Sequence, residues 1–320
     1  MSLLSVRDLE VLIETRQGSL RAVDGLNFDL AAGDSLGIVG ESGSGKTQTA
    51  LALMGLLARN AQARGSVNFA GEELLRLKPR AMNRLRGAQI GMVFQDPLAS
   101  LNPHLTIGTQ LTEVLERHEG VALREARSRA VQMLERVHLA DAAGALKRYP
   151  HEFSGGMRQR ITIAMALLCD PQLLIADEPT SALDVTVQAQ ILDLLAELRQ
   201  SMRLAVILIS HDIGVVAELC RQTLVMYAGR IMEIGPTAQL LAQPAHPYTK
   251  ALLASRPHLD GPRRALLDTI PGQPPRLTET IEGCPFHPRC SQVFATCRRA
   301  RPVYRVAASG TLSACHAENS

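Results

Sequence analysis

Apolar and polar positions alternate through the first 35 residues, in LLSVRDLEVLIE and again in LRAVDGLNFDL, with turn residues at Gln17-Gly18 and Ala32-Gly33-Asp34. A period of two with that punctuation predicts strands in hairpin-like connection. From Ser35 the text changes to an apolar strand, a glycine-rich loop and TQTALALMGLL, whose apolar spacing suits a helix. Residues 81 to 148 are mostly helical in character and charged, as in LTEVLERHEG and REARSRAVQMLERV; they predict an inserted helical subdomain, which we bound at about 96–165. PQLLIAD and LAVILIS are short unbroken apolar runs between turn signals, the pattern of parallel strands buried on both faces. The body is therefore expected to be α/β, over residues 1–240.

Past residue 236 the pattern breaks down. Ten of the 17 prolines fall between Pro244 and Pro302, most densely in PGQPP at 271–275, and such density excludes long helices and central strands. Residues 241–320 are expected to form a separate extension. No internal repeat is evident.

Composition narrows the function classes. With 320 residues, 46% hydrophobic and 20% charged, the chain is globular and long enough for one large domain and an appendage. Aromatics are 3% with no Trp, which leaves little material for a base-stacking nucleic-acid surface. The net charge of +3 is uneven: the last 80 residues hold 10 basic and 5 acidic side chains, and the rest is slightly acidic. No apolar run approaches the roughly 18 residues of a bilayer span, and MSLLSVRDLE is not a signal sequence, so a cytoplasmic protein is expected.

The candidate chemistry begins at Gly40-Glu41-Ser42-Gly43-Ser44-Gly45-Lys46-Thr47, which fits G-x-x-x-x-G-K-[ST] between a strand and a helix. Glycines let backbone N–H groups converge on phosphates, the helix N-terminus adds positive potential, Lys46 offers a charge to the β and γ phosphates, and Thr47 can ligate Mg²⁺. A bare glycine turn is the alternative, and the strand-loop-helix context decides against it. LLIADE at 173–178 ends a strand in two carboxylates, where an open α/β sheet exposes its ligand crevice. Asp177 is assigned to the Mg²⁺ shell and Glu178 to polarising the attacking water. Phe153-Ser154-Gly155-Gly156-Met157 forms a second small-residue nest at a helix start, for which a glycine N-cap is the bland alternative. One γ-phosphate does not need two nests from one chain, so the second is expected to serve a nucleotide held by a partner. His211, beyond LAVILIS, is expected to contact phosphate and water, and Gln95 can approach Mg²⁺ or water when its loop moves.

GESGSGKT, Gln95, FSGGM, LLIADEP, SALD and His211, in this order, resemble the ATP-binding subunit of ABC transporters through roughly residues 4–240. The resemblance implies a P-loop ABC ATPase fold with antiparallel β and helical subdomains. It also implies a head-to-tail dimer in which Ser154 and Gly156 act on the opposite ATP and Asp184 lies at the dimer interface. Through the helical subdomain, movement of Gln95 would reach membrane-embedded permeases. FSGGMRQR, FQDPLASLNP, HPYTKALL, IPGQPP and GCPFHPRC further resemble the peptide and nickel import group, above all its dipeptide and oligopeptide members. That implies a second, different ATPase subunit, two permeases and an extracytoplasmic substrate-binding protein, with this chain peripheral on the cytoplasmic face of the plasma membrane. The expected adenine-stacking aromatic near the N-terminus is replaced by Ile13.

Cys284, Cys290, Cys297 and Cys315 are spaced C-x5-C-x6-C-x17-C, wider than most structural zinc knuckles. Four thiolates suit Zn²⁺ or a [4Fe–4S] cluster, and spacing alone does not decide. Related importer subunits imply the iron–sulfur cluster, with zinc as runner-up. His287 and His316 adjoin these cysteines and are read as supporting or solvent-facing, while Cys169 and Cys220 read as buried small residues in apolar helical text. Rival readings are a nickel or metal-chelate importer ATPase, a soluble ABC ATPase acting on nucleic acid, and an iron–sulfur redox sensor. A single cassette without heptads argues against the second, and the full acid, histidine and signature set against the third.

Overall fold

The computed structural model describes residues 2–16, 18–181, 183–255, 270–275 and 281–317. Gln17 of the first expected turn and Ala182 of SALD lie outside them. In chain order the elements are β1 (Ser2–Thr15), β2 (Gly18–Ala31), β3 (Ser35–Val39), α1 (Lys46–Leu53), β4 (Ala61–Phe69), β5 (Glu72–Glu73), α2 (Pro79–Leu85) and β6 (Ile90–Val93). Then come α3 (Pro97–Ser100), α4 (Ile107–Glu119), α5 (Leu123–Arg136), α6 (Ala142–Ala145), α7 (Gly155–Leu167), β7 (Leu173–Asp177), α8 (Val185–Met202) and β8 (Ala205–Ser210). The chain closes with α9 (Ile213–Leu219), β9 (Gln222–Tyr227), β10 (Arg230–Pro236), α10 (Thr237–Ala242), α11 (Pro247–Ala254), α12 (Ala295–Arg299), β11 (Arg305–Val306) and β12 (Leu312–Ser313). Two compact units result, neither continuous in sequence: Met1–Leu4, Leu30–Ser35 and Phe69–Ile209 form the first, and Ser5–Asp29, Leu36–Asn68 and Ser210–Ser320 the second.

In the first unit β6, β7 and β8 are parallel, with Ile90 opposite Leu173 and Leu173 opposite Ala205. Every residue of β7 and β8 is buried, as unbroken apolar runs require. The helices α3 to α7 fill residues 97–167. Amphipathic α4 and α5 turn Leu111, Leu115, Ala126, Ala130 and Leu134 inward, and α4 is capped by the Thr106 hydroxyl at one end and by left-handed Gly120 at the other. The stretch read as mostly helical also contains β6, because an apolar run of four residues is too short to show a period.

In the second unit β1 lies between β2 and β4. The inward alternation of β1 changes phase at Asp8: Leu4 and Val6 are buried before it, Leu9 and Val11 after it. Asp8 has φ +47°, and its N–H donates to Asn27 Oδ1 at 3.0 Å, so the irregularity keeps its backbone satisfied. A second sheet runs β11-β12-β10-β9-β3, in which β9 is parallel to β3 and antiparallel to β10. The proline-rich extension contributes β11 and β12, two residues each, to the edge of β10, where Glu233 faces Ser313.

The expected metal-binding tail is corrected in part. Cys284, Cys297 and Cys315 are buried, Cys290 is half-buried, and among the described residues none of them forms a disulfide. Among the described residues no group of three or more His, Cys, Asp or Glu side chains is placed to hold a metal ion. A metal-binding segment is therefore not shown. Cys169 also departs from expectation, since it sits in the turn after α7, only half-buried, whereas Cys220 is buried at the end of α9. Among the described residues no helix is long and apolar enough to cross a membrane.

Candidate functional site

The phosphate loop belongs to the second unit. Buried β3 delivers the chain to Gly40, where an added Cβ would come 2.2 Å from the Met226 carbonyl oxygen. At Gly45, φ is +103° and an added Cβ would come 2.3 Å from the Ala22 carbonyl oxygen, so neither position accepts a side chain without moving backbone. Gly43, also left-handed at φ +78°, faces open space. Gly45 caps α1, whose first-turn N–H groups point into the loop, and Ser42 and Thr47 are exposed there. Lys46 is 5% exposed, and its Nζ donates to the carbonyls of Gly40 at 2.7 Å and Glu41 at 3.0 Å. A cation, a nest of N–H groups and a helix N-terminus thus converge, which is the apparatus for an anionic phosphate.

The carboxylates and the second nest belong to the first unit. Asp177 ends β7 and is 3% exposed. Glu178 takes φ +47°, a left-handed backbone for a residue with a Cβ, held by its N–H donating to the Ile209 carbonyl at 2.9 Å. Gln95 Nε2 donates to Glu178 Oε2 at 3.3 Å, so these two, 83 positions apart, do meet. Ser154 is the N-cap of α7, its Oγ accepting from the Met157 N–H at 3.4 Å; the cap is the serine, and Gly155 and Gly156 are the first helical residues. An added Cβ on Gly156 would come 2.6 Å from Val187 Cγ1, so the nest lies against the start of α8, where Asp184 Oδ1 accepts from the Val187 N–H at 3.0 Å. Asp177 in this unit and Thr47 in the other are each an oxygen donor, carboxylate and hydroxyl respectively, of the type Mg²⁺ takes. His211 is exposed just past β8, in the second unit, and Ile13 is half-buried on β1.

Among the described residues, the four tail cysteines share one pocket without forming a group placed to hold a metal ion. Cys284, Cys290, Cys297 and Cys315 line one small pocket together with His246, Phe286, His287 and His316. Burial, reinforced by the neighbouring cysteines, pushes the Cys284 thiol up to about 11, and burial also raises Cys290. His287 Nδ1 lies 2.9 Å from the Cys284 carbonyl oxygen and His316 Nε2 2.9 Å from that of Ala300, so both rings are tied to backbone. Sequence reasoning missed the anchoring role of Glu41 within the phosphate loop and the two residues that hold it there, Tyr248 and Arg289. HPYTKALL and GCPFHPRC contain the last two, but nothing in their spacing pointed to residue 41.

The geometry agrees with known proteins. The ABC transporter family model matches residues 23–181, and the model for the C-terminal region of oligopeptide/dipeptide transporters matches residues 232–297. The oligopeptide transport ATP-binding protein OppD of Salmonella typhimurium is 54% identical over 98% of this chain and 93% of its own length. OppD of Haemophilus influenzae is 54% identical over 93% and 92%. Among solved structures, the ATP-binding cassette MJ0796, a dimer in a post-hydrolysis state bound to ADP and Pi, superposes with a TM-score of 0.66 at 25% identity, covering 73% of this chain and 98% of that one. CbiO1 of Clostridium perfringens, part of an ABC transporter complex, gives 0.65 at 26% identity over 76% and 91%. The chain therefore belongs to the ABC transporter family, as an ATP-binding ATPase subunit of the oligopeptide/dipeptide transporter type.

Proposed function

We propose that ATP hydrolysis by this chain drives import of oligopeptides or dipeptides, with nickel or a metal chelate as the alternative cargo. The observation that carries this reading is the 54% identity to an oligopeptide transport ATP-binding protein along nearly the whole chain, tail included. Backbone N–H groups of Gly40, Ser42, Gly43 and Gly45 and the Lys46 ammonium hold the phosphates. Thr47, Asp177 and Gln95 are the candidates that would hold Mg²⁺, which when bound would neutralise phosphate charge. Glu178 polarises the attacking water, with Gln95 holding its carboxylate, and His211 contacts phosphate. Ser154, Gly155 and Gly156 serve the nucleotide of a second, different ATPase subunit, with Asp184 at that interface. Two permeases and an extracytoplasmic substrate-binding protein complete the importer, placing this chain peripherally on the cytoplasmic face of the plasma membrane.

Although no group of three or more is placed to hold a metal ion among the described residues, the four thiols that line one pocket are soft donors of the kind a [4Fe–4S] cluster or Zn²⁺ takes, and either would help order the tail. Iron, zinc and acid-labile sulfide assayed on anaerobically purified protein decide between them; protein free of all three removes the metal from the proposal. Transport itself is tested in cells lacking the chain: uptake of a labelled tripeptide returns with the wild type and not with Lys46→Ala. Normal uptake in the deletion strain would refute peptide import, and copurification with nucleic acid in place of hydrophobic subunits would favour the rival enzyme.

A further inference from the structure

A buried arginine joins the cysteine-bearing tail to the phosphate loop within the second unit. Arg289 precedes Cys290, and only 5% of its side chain is exposed. Its Nη1 and Nη2 donate to the two carboxylate oxygens of Glu41 at 2.6 and 3.0 Å. Nη1 also donates to Tyr227 Oη at 3.2 Å, Nη2 to the Ile270 carbonyl at 3.3 Å, and Nε to the Pro271 carbonyl at 2.8 Å. A guanidinium carries five N–H donors in a planar fork, and here each has an acceptor.

Glu41 is the second residue of the loop and is held twice. Its own N–H donates to Tyr248 Oη at 3.0 Å. Tyr248, Tyr227 and Phe286 pack ring on ring, with centroids 4.7 to 5.3 Å apart, a dense block in a chain with 3% aromatics. The carbonyls of Gly40 and Glu41 in turn accept from Lys46 Nζ at 2.7 and 3.0 Å, so the anchored stretch also holds the loop's cation. Two physical effects follow. Pinning a glycine-rich loop before nucleotide arrives lowers the ordering cost of binding. A carboxylate in a phosphate-binding loop would repel phosphate, and the bidentate guanidinium neutralises it.

We propose that Arg289 is a positioning residue for the phosphate loop: by clamping Glu41 it preorganises residues 40–47 for nucleotide phosphates and cancels the one negative charge in that segment. This rests on residues 40–47 being the ATP-binding loop. In the full-length chain, affinity for Mg²⁺ with ATPγS is measured beside steady-state turnover. Arg289→Ala weakens analogue binding roughly 10- to 100-fold, the scale of a displaced binding group. KM for ATP rises in step while kcat at saturation stays within a few fold, since ground and transition states lose the same support. Adding Arg289→Ala to Glu41→Gln costs little more than Glu41→Gln alone, because the partner charge is already gone. Circular dichroism verifies folding; should Arg289→Ala not fold, Glu41→Gln carries the test, a several-fold loss of affinity supporting the role and wild-type affinity overturning it. Folded Arg289→Ala with wild-type affinity, where Lys46→Ala abolishes binding, overturns the positioning role alone. Intact binding in Lys46→Ala brings down the phosphate-loop reading and this role together.

Discussion

At the scale of single residues, Glu178 combines a left-handed backbone, a main-chain bond to Ile209 and a carboxylate contacted by Gln95. A strained backbone that its surroundings over-determine keeps one side chain aimed in one direction. Glu178→Gln retains that shape and the backbone bonds but loses proton affinity at the reacting water. We expect ATP-analogue binding to survive and turnover to fall by roughly 10² to 10⁴, the range for a general-base group. A single-turnover assay alongside equilibrium binding separates the two, and turnover near the wild-type rate would exclude the role. The position of the acid just past a buried strand was legible in LLIADE, as were those of Lys46 and Thr47 at the start of α1, because these motifs are consecutive letters after a strand. The backbone strain at Glu178 and the serine cap at Ser154 were not, since both are set by what the chain packs against.

At the scale of elements, a buried carboxylate on β10 organises the start of α11. Glu233 is fully buried and accepts from the N–H groups of Ala245 and His246, each at 3.0 Å, and from Thr311 Oγ1 at 2.8 Å. Glu233→Ala leaves the buried N–H of His246 unpaired, at about 1–3 kcal/mol, and the part-buried N–H of Ala245 unpaired at less than that. Thermal melting several degrees lower is expected, and an unchanged transition would mean that water or a shifted loop satisfies them. Nothing in RIMEIGP marks its glutamate as buried, because in a sequence a charged letter between apolar ones reads as the exposed face.

His246, next along, has its own consequence for acid stability. It is fully buried, and its Nδ1 accepts the Tyr248 N–H at 3.0 Å, so a protonated ring would oppose N–H to N–H. Burial first, aided by Lys250 and opposed by the Ala314 carbonyl, lowers its pKa from 6.5 to about 3. Between those values the unfolded chain binds a proton that the folded chain refuses, so stability is complete above about pH 6.5 and falls as pH drops toward about 3. At 1.36 kcal/mol per unit the loss is of the order of 5 kcal/mol at most. Glu233 and the cavity-lining thiols surround the same site and are unchanged in His246→Gln, whose amide oxygen can still accept from Tyr248. Denaturant unfolding at pH 7 and pH 4 should show a smaller acid loss in that variant than in the wild type; equal losses would assign the acid sensitivity elsewhere.

At the scale of the whole chain, the extension after residue 240 reads in sequence as an appendage, with its prolines and its cysteines set apart from the cassette motifs. Several of its described residues are built into the second unit: β12 covers the edge of β10, Thr311 serves Glu233, Phe286 packs on Tyr227 and Tyr248, and Arg289 neutralises Glu41. Strands of two residues and ion pairs spanning 248 positions leave no local pattern to read. Ending the chain at Ser255 would remove all four supports at once while keeping every ATPase motif. It would bare a sheet edge, a template for pairing between chains, and leave Glu41 and Glu233 without their tail partners. A lower melting temperature, concentration-dependent light scattering and weaker ATPγS binding are expected of that truncation. A truncated chain that melts and scatters like the full one would mean that the cassette folds independently of its tail, and the cysteines would then have to be explained without any structural debt to it.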